Sequence, residues 1–203
     1  MIGIIDYGCG NTYAFINAFK LLNISARVVS TAAEIEDANK IIMPGVGSFD
    51  HVMNRFNESG LRNVVEHKVL VDKIDILGVC AGMQILTESS DEGIEKGLGW
   101  LKGKIKLFNI DKISYKTKIP HMGWNTIVTS KSPLFEGIKK KSRFYFVHSY
   151  YFDNYHNEDR IAITNYGENF TSAVNKNNIY GVQFHPEKSH QNGLRVLENF
   201  ANI

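Results

Sequence analysis

The sequence predicts an α/β fold: an open three-layer αβα sandwich with a mixed, mainly parallel central sheet. In the first half of the chain, short apolar strand-like runs alternate with amphipathic helical stretches, which is typical of parallel strands covered by helices on both faces. In the second half, strand-like runs are separated by turns alone, which indicates antiparallel additions to the sheet. With 203 residues and no repeat or linker, the chain is predicted to form one domain over residues 1–203.

The elements of the first half follow from apolar spacing and from the turn residues between them. The first strand, 2–6, ends at Tyr7-Gly8-Cys9-Gly10-Asn11, and helix 12–22 carries apolar residues every three or four positions. The same patterns predict strands over 26–29, 40–43 and 74–79, and a helical stretch over 49–71 that breaks at Ser59-Gly60.

The elements of the second half are shorter. Strand-like runs are predicted over 103–108, 125–129, 143–147, 160–164, 171–175 and 179–183. The chain closes with a helix, because Leu194, Leu197 and Ala201 lie on one apolar face.

Composition excludes several classes of protein. Hydrophobic residues make up 43% and charged residues 22%, as in a globular chain and unlike a disordered or collagen-like one. No apolar run approaches the roughly 18 residues that span a bilayer, so no membrane partner is expected. The N-terminus carries no secretion leader, which predicts a cytoplasmic protein. Cys9 and Cys80 are expected to be free thiols.

Basic residues are concentrated in one part of the chain. The formal net charge is +2, yet residues 101–143 hold eleven Lys or Arg against two acidic residues. Three interpretations fit this segment: a solvated surface, a face for an acidic protein partner, or a nucleic-acid surface. No nucleic-acid motif accompanies the lysines, which favours the solvated surface, and no nucleic-acid partner is expected.

A cysteine stands at the most informative position. Cys80 lies between Gly78 and Gly82, after a strand and before a helix, which is the thiol counterpart of the G-x-S-x-G nucleophile elbow. The small neighbours relieve crowding at a sharp turn, and the helix N-terminus favours a thiolate and offers the Ala81 N–H to an oxyanion. The alternative is a small buried cysteine in a tight turn.

A candidate base and its orienting carboxylate follow a later strand. Strand 179–183 delivers His185 to the end of the sheet, and a side-chain period of two lets Glu187 project to the same side. Cys80, His185 and Glu187 together form a nucleophile, a base and an orienting group suited to acyl transfer. His185 alone would be a structural or surface residue.

A second oxyanion donor is expected from a neighbouring loop. Pro44-Gly45-Val46-Gly47 follows a strand, and its glycines let backbone N–H groups turn toward the carboxyl end of the sheet, although such a segment alone is a weak indication. The elbow and the three catalytic candidates by themselves also allow a cysteine peptidase or hydrolase, and a non-catalytic scaffold remains a third hypothesis.

The motifs together resemble the class I glutamine amidotransferase family over essentially the whole chain. They are Pro44-Gly45-Val46-Gly47, the segment 78–84 and the segment 183–187. The strings Pro120-His121-Met122-Gly123-Trp124-Asn125 and His185-Pro186-Glu187-Lys188-Ser189 resemble one branch of it, the glutaminase subunits of imidazole glycerol phosphate synthases. The resemblance implies a flavodoxin-like sheet, with neither a cofactor nor a metal.

The resemblance assigns roles that the residues themselves permit. Cys80 would attack the side-chain amide of glutamine, His185 would carry the proton to the leaving ammonia, and Glu187 would hold His185. Gly47 and Ala81 would supply the oxyanion N–H groups. The positions that match the family's glutamine-binding residues are Gln84, Ser149 and Tyr150.

The resemblance also implies a partner: a heterodimer with a (βα)₈-barrel cyclase that uses the ammonia to make imidazole glycerol phosphate and aminoimidazole carboxamide ribotide for histidine. The positions that would face this barrel are Asn11, Trp124, Tyr145 and Lys188. Cys9, Thr12 and Ala81 depart from the family's common residues. They leave open a paralogue that supplies another acceptor, such as a surface-polysaccharide sugar.

Overall fold

The computed structural model describes residues 1–203 and contains thirteen β-strands and six α-helices. The strands are β1 Ile2–Ile5, β2 Ala26–Val29, β3 Lys40–Gly45, β4 Asp75–Cys80, β5 Ser89–Ser90, β6 Gly103–Leu107, β7 His121–Thr126, β8 Val128–Thr129, β9 Arg143–His148, β10 Tyr150–Asn154, β11 Arg160–Tyr166, β12 Glu168–Lys176 and β13 Ile179–Val182. The helices are α1 Thr12–Leu21, α2 Ala32–Glu36, α3 Phe49–Glu58, α4 Arg62–Glu66, α5 Ala81–Gln84 and α6 His190–Asn202.

The central sheet has eleven strands, and β7 and β9 form a separate antiparallel pair. Its first five strands run in the order β2-β1-β3-β4-β13 and are all parallel. Antiparallel strands then extend the sheet through β12 and β10 to β6, while β11 pairs with β12 and β8 pairs with β11. β5 at the far edge is again parallel to β6. The mixed, mainly parallel sheet predicted from the sequence is confirmed.

Alternating side chains bury both faces of the parallel strands. On one face, Ile4 and Ile42 pack with Phe15 and Phe19 of α1 and with Phe200 of α6. On the other face, a second cluster joins the strands to α3 and its neighbours and includes Ile5, Ile41, Phe49, Val52 and Phe56. These two cores make the three-layer sandwich, because neighbouring residues of a strand point to opposite faces.

Helix 49–71 breaks as predicted. α3 ends at Glu58, α4 begins at Arg62, and His67–Val71 forms a π-helical turn. The short helix α2, in contrast, was not predicted. Its Thr31 and Glu34 form a capping box in which each side chain accepts from the other residue's N–H. This S/T-x-x-E pattern was readable in the sequence.

The single strand predicted over 125–129 is wrong. β7 already begins at His121 and pairs with β9, whereas β8 pairs with β11 of the main sheet. The break falls at Ile127, where the chain passes from one sheet to the other. Ile127 is buried in the core, and its N–H donates to Ser142 O over 3.2 Å. β10 was also missed, since no strand was predicted over 150–154.

The basic segment 101–143 is partly neutralised within the fold. Lysines in and on either side of β6 contact carboxylates of neighbouring elements in the pairs Lys102–Glu88, Lys104–Asp91, Lys106–Asp153 and Lys112–Glu168. These lysines are partly or largely exposed, which agrees with a solvated surface.

As for the bilayer, none of the helices combines the length and the apolar character needed to cross one.

Candidate active site

The parallel half of the sheet holds Cys80 in a sharp strand-to-helix turn. Cys80 is the last residue of β4 and the N-cap of α5, and its backbone has φ 55° and ψ −118°. This left-handed conformation is uncommon for a residue with a side chain and persists only where the surroundings enforce it. The elbow predicted from the sequence is therefore present, with the thiol at the carboxyl edge of the parallel strands.

Close backbone contact between two glycines makes this turn possible. A Cβ on Gly82 would lie 2.0 Å from the Met43 carbonyl oxygen, and a Cβ on Gly45 would lie 2.1 Å from the Gly82 nitrogen. Only glycine fits at either position without moving main chain. The end of β3 is thereby pressed against the start of α5, which sets the Pro44-to-Gly47 loop beside Cys80.

His185 and Glu187 form a buried pair. His185 Nδ1 lies 2.8 Å from Glu187 Oε1, and their side chains are 4% and 3% exposed. The expected reason for this contact is wrong: the two residues do not share a strand face. β13 ends at Val182, and Pro186–Lys188 forms a 3₁₀ turn that folds Glu187 back onto the imidazole. Proline suits the first position of such a turn, because it has no N–H to satisfy there.

The proton affinity of His185 is altered by its surroundings. Burial disfavours the imidazolium, but the nearby Cys80 and the hydrogen-bonded Glu187 carboxylate outweigh it and raise the pKa of His185. The Glu187 carboxylate accepts from Nδ1–H, so Nε2 is the nitrogen left for proton transfer. Within the chain, buried Nε2 has no hydrogen-bond partner. An imidazolium beside a thiol favours the thiolate.

One cavity of about 270 Å³ brings most of the predicted residues together. Its walls include Gly47, Cys80, Ala81, Gln84, Ser149, Tyr150, His185 and Lys188. The other four wall residues, Val46, Glu92, Val147 and His148, were not predicted as site residues. Glu92 follows β5 in a loop without any motif, so the sequence carried no indication that it reaches the cavity.

The cavity wall carries backbone N–H groups at both predicted oxyanion positions. Gly47 has φ +125°, a conformation that favours glycine, and neither Val46 nor Gly47 donates its N–H to an acceptor in the chain. Ala81 is the first residue of α5, so its N–H has no acceptor within that helix. The predicted oxyanion positions thus offer N–H groups beside the Cys80 thiol.

Glu92 connects the cavity to the loop that carries Gly47. Its Oε2 accepts from the N–H of Phe49, the first residue of α3, over 2.8 Å. Asp50 accepts in return from the N–H groups of Ile94 and Glu95. This reciprocal clamp fixes the Glu92 loop against the first turn of α3, directly after Gly47 and Ser48.

Buried imidazoles support the other wall of the cavity. His121 Nδ1 and His148 Nε2 are 2.9 Å apart, and His148 Nδ1 lies 2.8 Å from Tyr150 O. Burial lowers the pKa of His121 to about 4 and that of His148 to about 3, so both rings are neutral at neutral pH. A carbonyl can only accept, so His148 donates to Tyr150 O from Nδ1 and accepts from His121 at Nε2.

The four predicted partner-facing residues are Asn11, Trp124, Tyr145 and Lys188. Trp124 stacks on His190 at 5.1 Å and meets Tyr145 edge-on at 6.2 Å, while Lys188 Nζ lies 6.0 Å from the Tyr145 ring centre. Asn11 is exposed and caps α1, with Oδ1 accepting from Ala14 N–H over 3.1 Å. Trp124 remains 37% exposed, so it is available at the surface and is not a core residue.

The comparison that decides the family covers nearly the whole chain. The sequence model described as "Glutamine amidotransferase class-I" matches residues 3–203. The chain belongs to this family. Two relatives of the amidotransferase are named "Imidazole glycerol phosphate synthase subunit HisH": one from Leptospira borgpetersenii, 52% identical, and one from Bdellovibrio bacteriovorus, 49% identical. Each alignment covers 100% of both chains.

The fold of the amidotransferase also matches solved structures. One described as "Crystal structure of glutamine amidotransferase" has a TM-score of 0.76 at 20% identity, with 100% of this chain and 99% of that chain covered. No group of three or more His, Cys, Asp or Glu side chains is placed to hold a metal ion.

The His185–Glu187 pair of the amidotransferase leads to a pH prediction. We expect Glu187→Gln to move the alkaline limb of the glutaminase pH profile to lower pH by about one to three units. The amide still accepts from Nδ1–H, but the charge that raises the His185 pKa is gone, so the imidazolium is lost at lower pH. The rate of glutamate release across pH measures this.

A matched variant controls for loss of a surface charge. Glu198 pairs with Arg195 on the outside of α6, and Glu198→Gln should leave the profile in place. An alkaline limb in Glu187→Gln that coincides with the wild-type limb would contradict the assigned role of Glu187.

Proposed function

We propose that residues 1–203 act as one glutaminase domain that hydrolyses glutamine and passes the ammonia to a partner subunit. One observation carries this proposal: the elbow thiol, the imidazole of the buried His–Glu pair and the two predicted oxyanion positions, Gly47 and Ala81, line a single cavity. These are the parts that acyl transfer from an amide requires.

The first half-reaction forms a thioester. The Cys80 proton passes to His185 Nε2, and the thiolate attacks the side-chain carbonyl carbon of glutamine. The carbonyl oxygen becomes an oxyanion that accepts from the Gly47 and Ala81 N–H groups. When the intermediate collapses, the carbon–nitrogen bond breaks and His185 returns its proton to the leaving nitrogen. Ammonia departs, and a glutamyl thioester remains on Cys80.

The second half-reaction releases glutamate. His185, now neutral, takes a proton from a water molecule that attacks the thioester carbon. The sulfur leaves as a thiolate, and the carbon–oxygen bond of glutamate replaces the carbon–sulfur bond. Glu187 keeps Nδ1 protonated through both steps, so Nε2 always faces the reacting atoms.

The cavity wall offers groups for the amino-acid end of glutamine. Gln84 donates from Nε2 to Tyr150 O and to Gln183 Oε1, which leaves its own Oε1 free to accept. The Glu92 carboxylate supplies negative charge for the substrate's ammonium. The Ser149 N–H has no acceptor within the chain and suits the carboxylate. The Tyr150 carbonyl is already occupied by Gln84 and His148, so it acts through Gln84.

The destination of the ammonia is inferred from the relatives. Both are named as subunits of imidazole glycerol phosphate synthase. We infer a (βα)₈-barrel cyclase as partner, with the ammonia used for imidazole glycerol phosphate and aminoimidazole carboxamide ribotide on the route to histidine. The relatives' names do not favour sugar amidation. The partner face consists of Asn11, Trp124, Tyr145 and Lys188, and Lys188 also borders the cavity.

The experiment measures glutamate release by the chain alone, with the cyclase barrel, and with the barrel plus its nucleotide. We expect both additions to activate the glutaminase. We also expect Lys188→Ala to lower the activation factor at least about fivefold, and by more than it raises the KM for glutamine, because Lys188 connects the partner face to the cavity.

Lys140 provides the matched control, since it is an exposed lysine in a turn and makes no ion pair. Lys140→Ala should keep the wild-type activation factor. If glutamate release does not change when the barrel is added, the glutaminase assignment stands and the partner assignment is contradicted. An unchanged activation factor in Lys188→Ala would show that Lys188 does not couple the partner face to the cavity.

A further inference from the structure

Gln183 is a buried polar residue beside Cys80. It has no role in the proposed mechanism of glutamine hydrolysis. It is 0% exposed and follows β13, two positions before His185. Its backbone N–H donates to Ser172 O over 2.9 Å, which fixes the main chain from which the side chain extends. A carboxamide buried this deeply needs partners for both its oxygen and its nitrogen.

The orientation of the Gln183 amide follows from its neighbours. Gln84 has a terminal group 3.2 Å from Tyr150 O, and because a carbonyl only accepts, that group is the Gln84 nitrogen. The same nitrogen lies 3.0 Å from Gln183, so the Gln183 atom facing it is the oxygen. The Gln183 nitrogen is therefore the atom that faces Cys80, with Nε2 3.7 Å from Sγ.

The Cys80 sulfur thus has different partners in its two protonation states. The thiol can donate toward Val147 O at 3.9 Å, whereas a thiolate accepts from Gln183 Nε2. An N–H donor favours the charged form of the group that it contacts, and it does so strongly where water is excluded. The thiol proton goes to His185 Nε2, and Gln183 neither gains nor loses one.

We propose that Gln183 stabilises the Cys80 thiolate by donating an N–H to Sγ, and that Gln84 holds the Gln183 amide in the orientation that does so. Gln84, which is proposed to contact glutamine, would then also influence the reactivity of Cys80 through Gln183. The proposal rests on the proposed function only in that Cys80 is the nucleophile; the thiolate itself can be measured without glutamine.

The test is the pH dependence of Cys80 alkylation by iodoacetamide, without glutamine, in a Cys9→Ala background so that Cys80 alone reports. Gln183→Met keeps a side chain of similar length and removes the donor. We expect the midpoint of the alkylation profile to move up by about one pH unit, so that alkylation below the midpoint slows about tenfold. Glutamate release should fall in parallel.

Ser172→Ala is the matched control, because Ser172 is fully buried on the adjacent strand and its Oγ has no partner. Its alkylation profile should match the parent profile. A folded Gln183→Met with an unshifted midpoint would overturn the proposal. If that variant does not fold, Gln84→Met should give a smaller upward shift, since it releases the Gln183 amide, and no shift there would equally overturn it.

The two proposals fail in distinguishable ways. A shifted alkylation midpoint, with no glutamate release by the parent chain even when the barrel and its nucleotide are present, would support the Gln183 inference and contradict the glutaminase assignment. Normal glutamate release with an unshifted midpoint would support the glutaminase assignment and contradict the Gln183 inference.

Discussion

Replacing Cys80 by alanine is expected to lower glutamate release by at least about 10³-fold, because the variant retains the cavity but has no atom that can form the thioester. Glutamine should still bind, since Gln84, Glu92 and the backbone donors are unchanged. Release is measured with the barrel and its nucleotide present, so that the wild-type rate is at its highest, and binding is measured by calorimetry.

Cys9 gives this experiment an internal control. It is the other free cysteine and is also buried. Burial and the nearby Asp6 raise the pKa of the Cys9 thiol, against the opposing effect of Arg55, so it stays protonated and unreactive. Cys9→Ala should keep activity within about threefold of wild type. Loss of activity in Cys9→Ala with retention in Cys80→Ala would reverse the assignment of the nucleophile.

The second large effect concerns folding. We expect Gly82→Ala to destabilise the chain by about 3 kcal/mol or more, because the new Cβ would lie 2.0 Å from the Met43 carbonyl oxygen. No side-chain rotation relieves a clash with main chain, so the end of β3 and the elbow at Cys80 must separate. For a chain of this length, the melting temperature should fall by at least about 6 to 12 °C.

Gly60 is the matched position for this variant. A Cβ there meets nothing within 4 Å, and the only cost is the left-handed backbone, with φ +73°. Gly60→Ala should cost about 1 to 2 kcal/mol. Equal melting temperatures for the two variants would show that the contact between Gly82 and Met43 does not limit stability.

Much of the fold could be predicted from apolar spacing. The parallel strands are buried on both faces, so their sequences are apolar runs bounded by turn residues, and the structure keeps them within one or two residues of their predicted ends. The break in the helical region 49–71 was visible at Ser59-Gly60 for the same local reason. These elements depend on their own residues.

The β7–β9 pair could not be predicted, because its separation from the main sheet depends on partners distant in the chain. Nothing in residues 121–129 shows that Ile127 is where the chain changes sheets. β10 was missed for a similar reason: it lies between β12 and β6, which follow or precede it by many residues.

The same distinction applies to the site: residues in short motifs could be predicted, whereas contacts between residues distant in the chain could not. Cys80, His185 and Glu187 stand in short motifs, so they could be named as candidates from the sequence, although the 3₁₀ turn that joins His185 to Glu187 was taken for a strand. Glu92 reaches the cavity only through its clamp to the first turn of α3. Gln183 lies within a motif, but its contact with Sγ depends on Gln84, 99 positions earlier. Such contacts belong to the tertiary structure.

The most direct test of the central claim, that the Cys80 thiol attacks the glutamine side chain, is covalent capture with the glutamine analogue 6-diazo-5-oxo-L-norleucine. Peptide mass analysis should find one label for each chain, on Cys80, and excess glutamine should slow its formation. A label on Cys9 instead, or a Cys80 that stays unmodified while the chain still releases glutamate, would contradict the account.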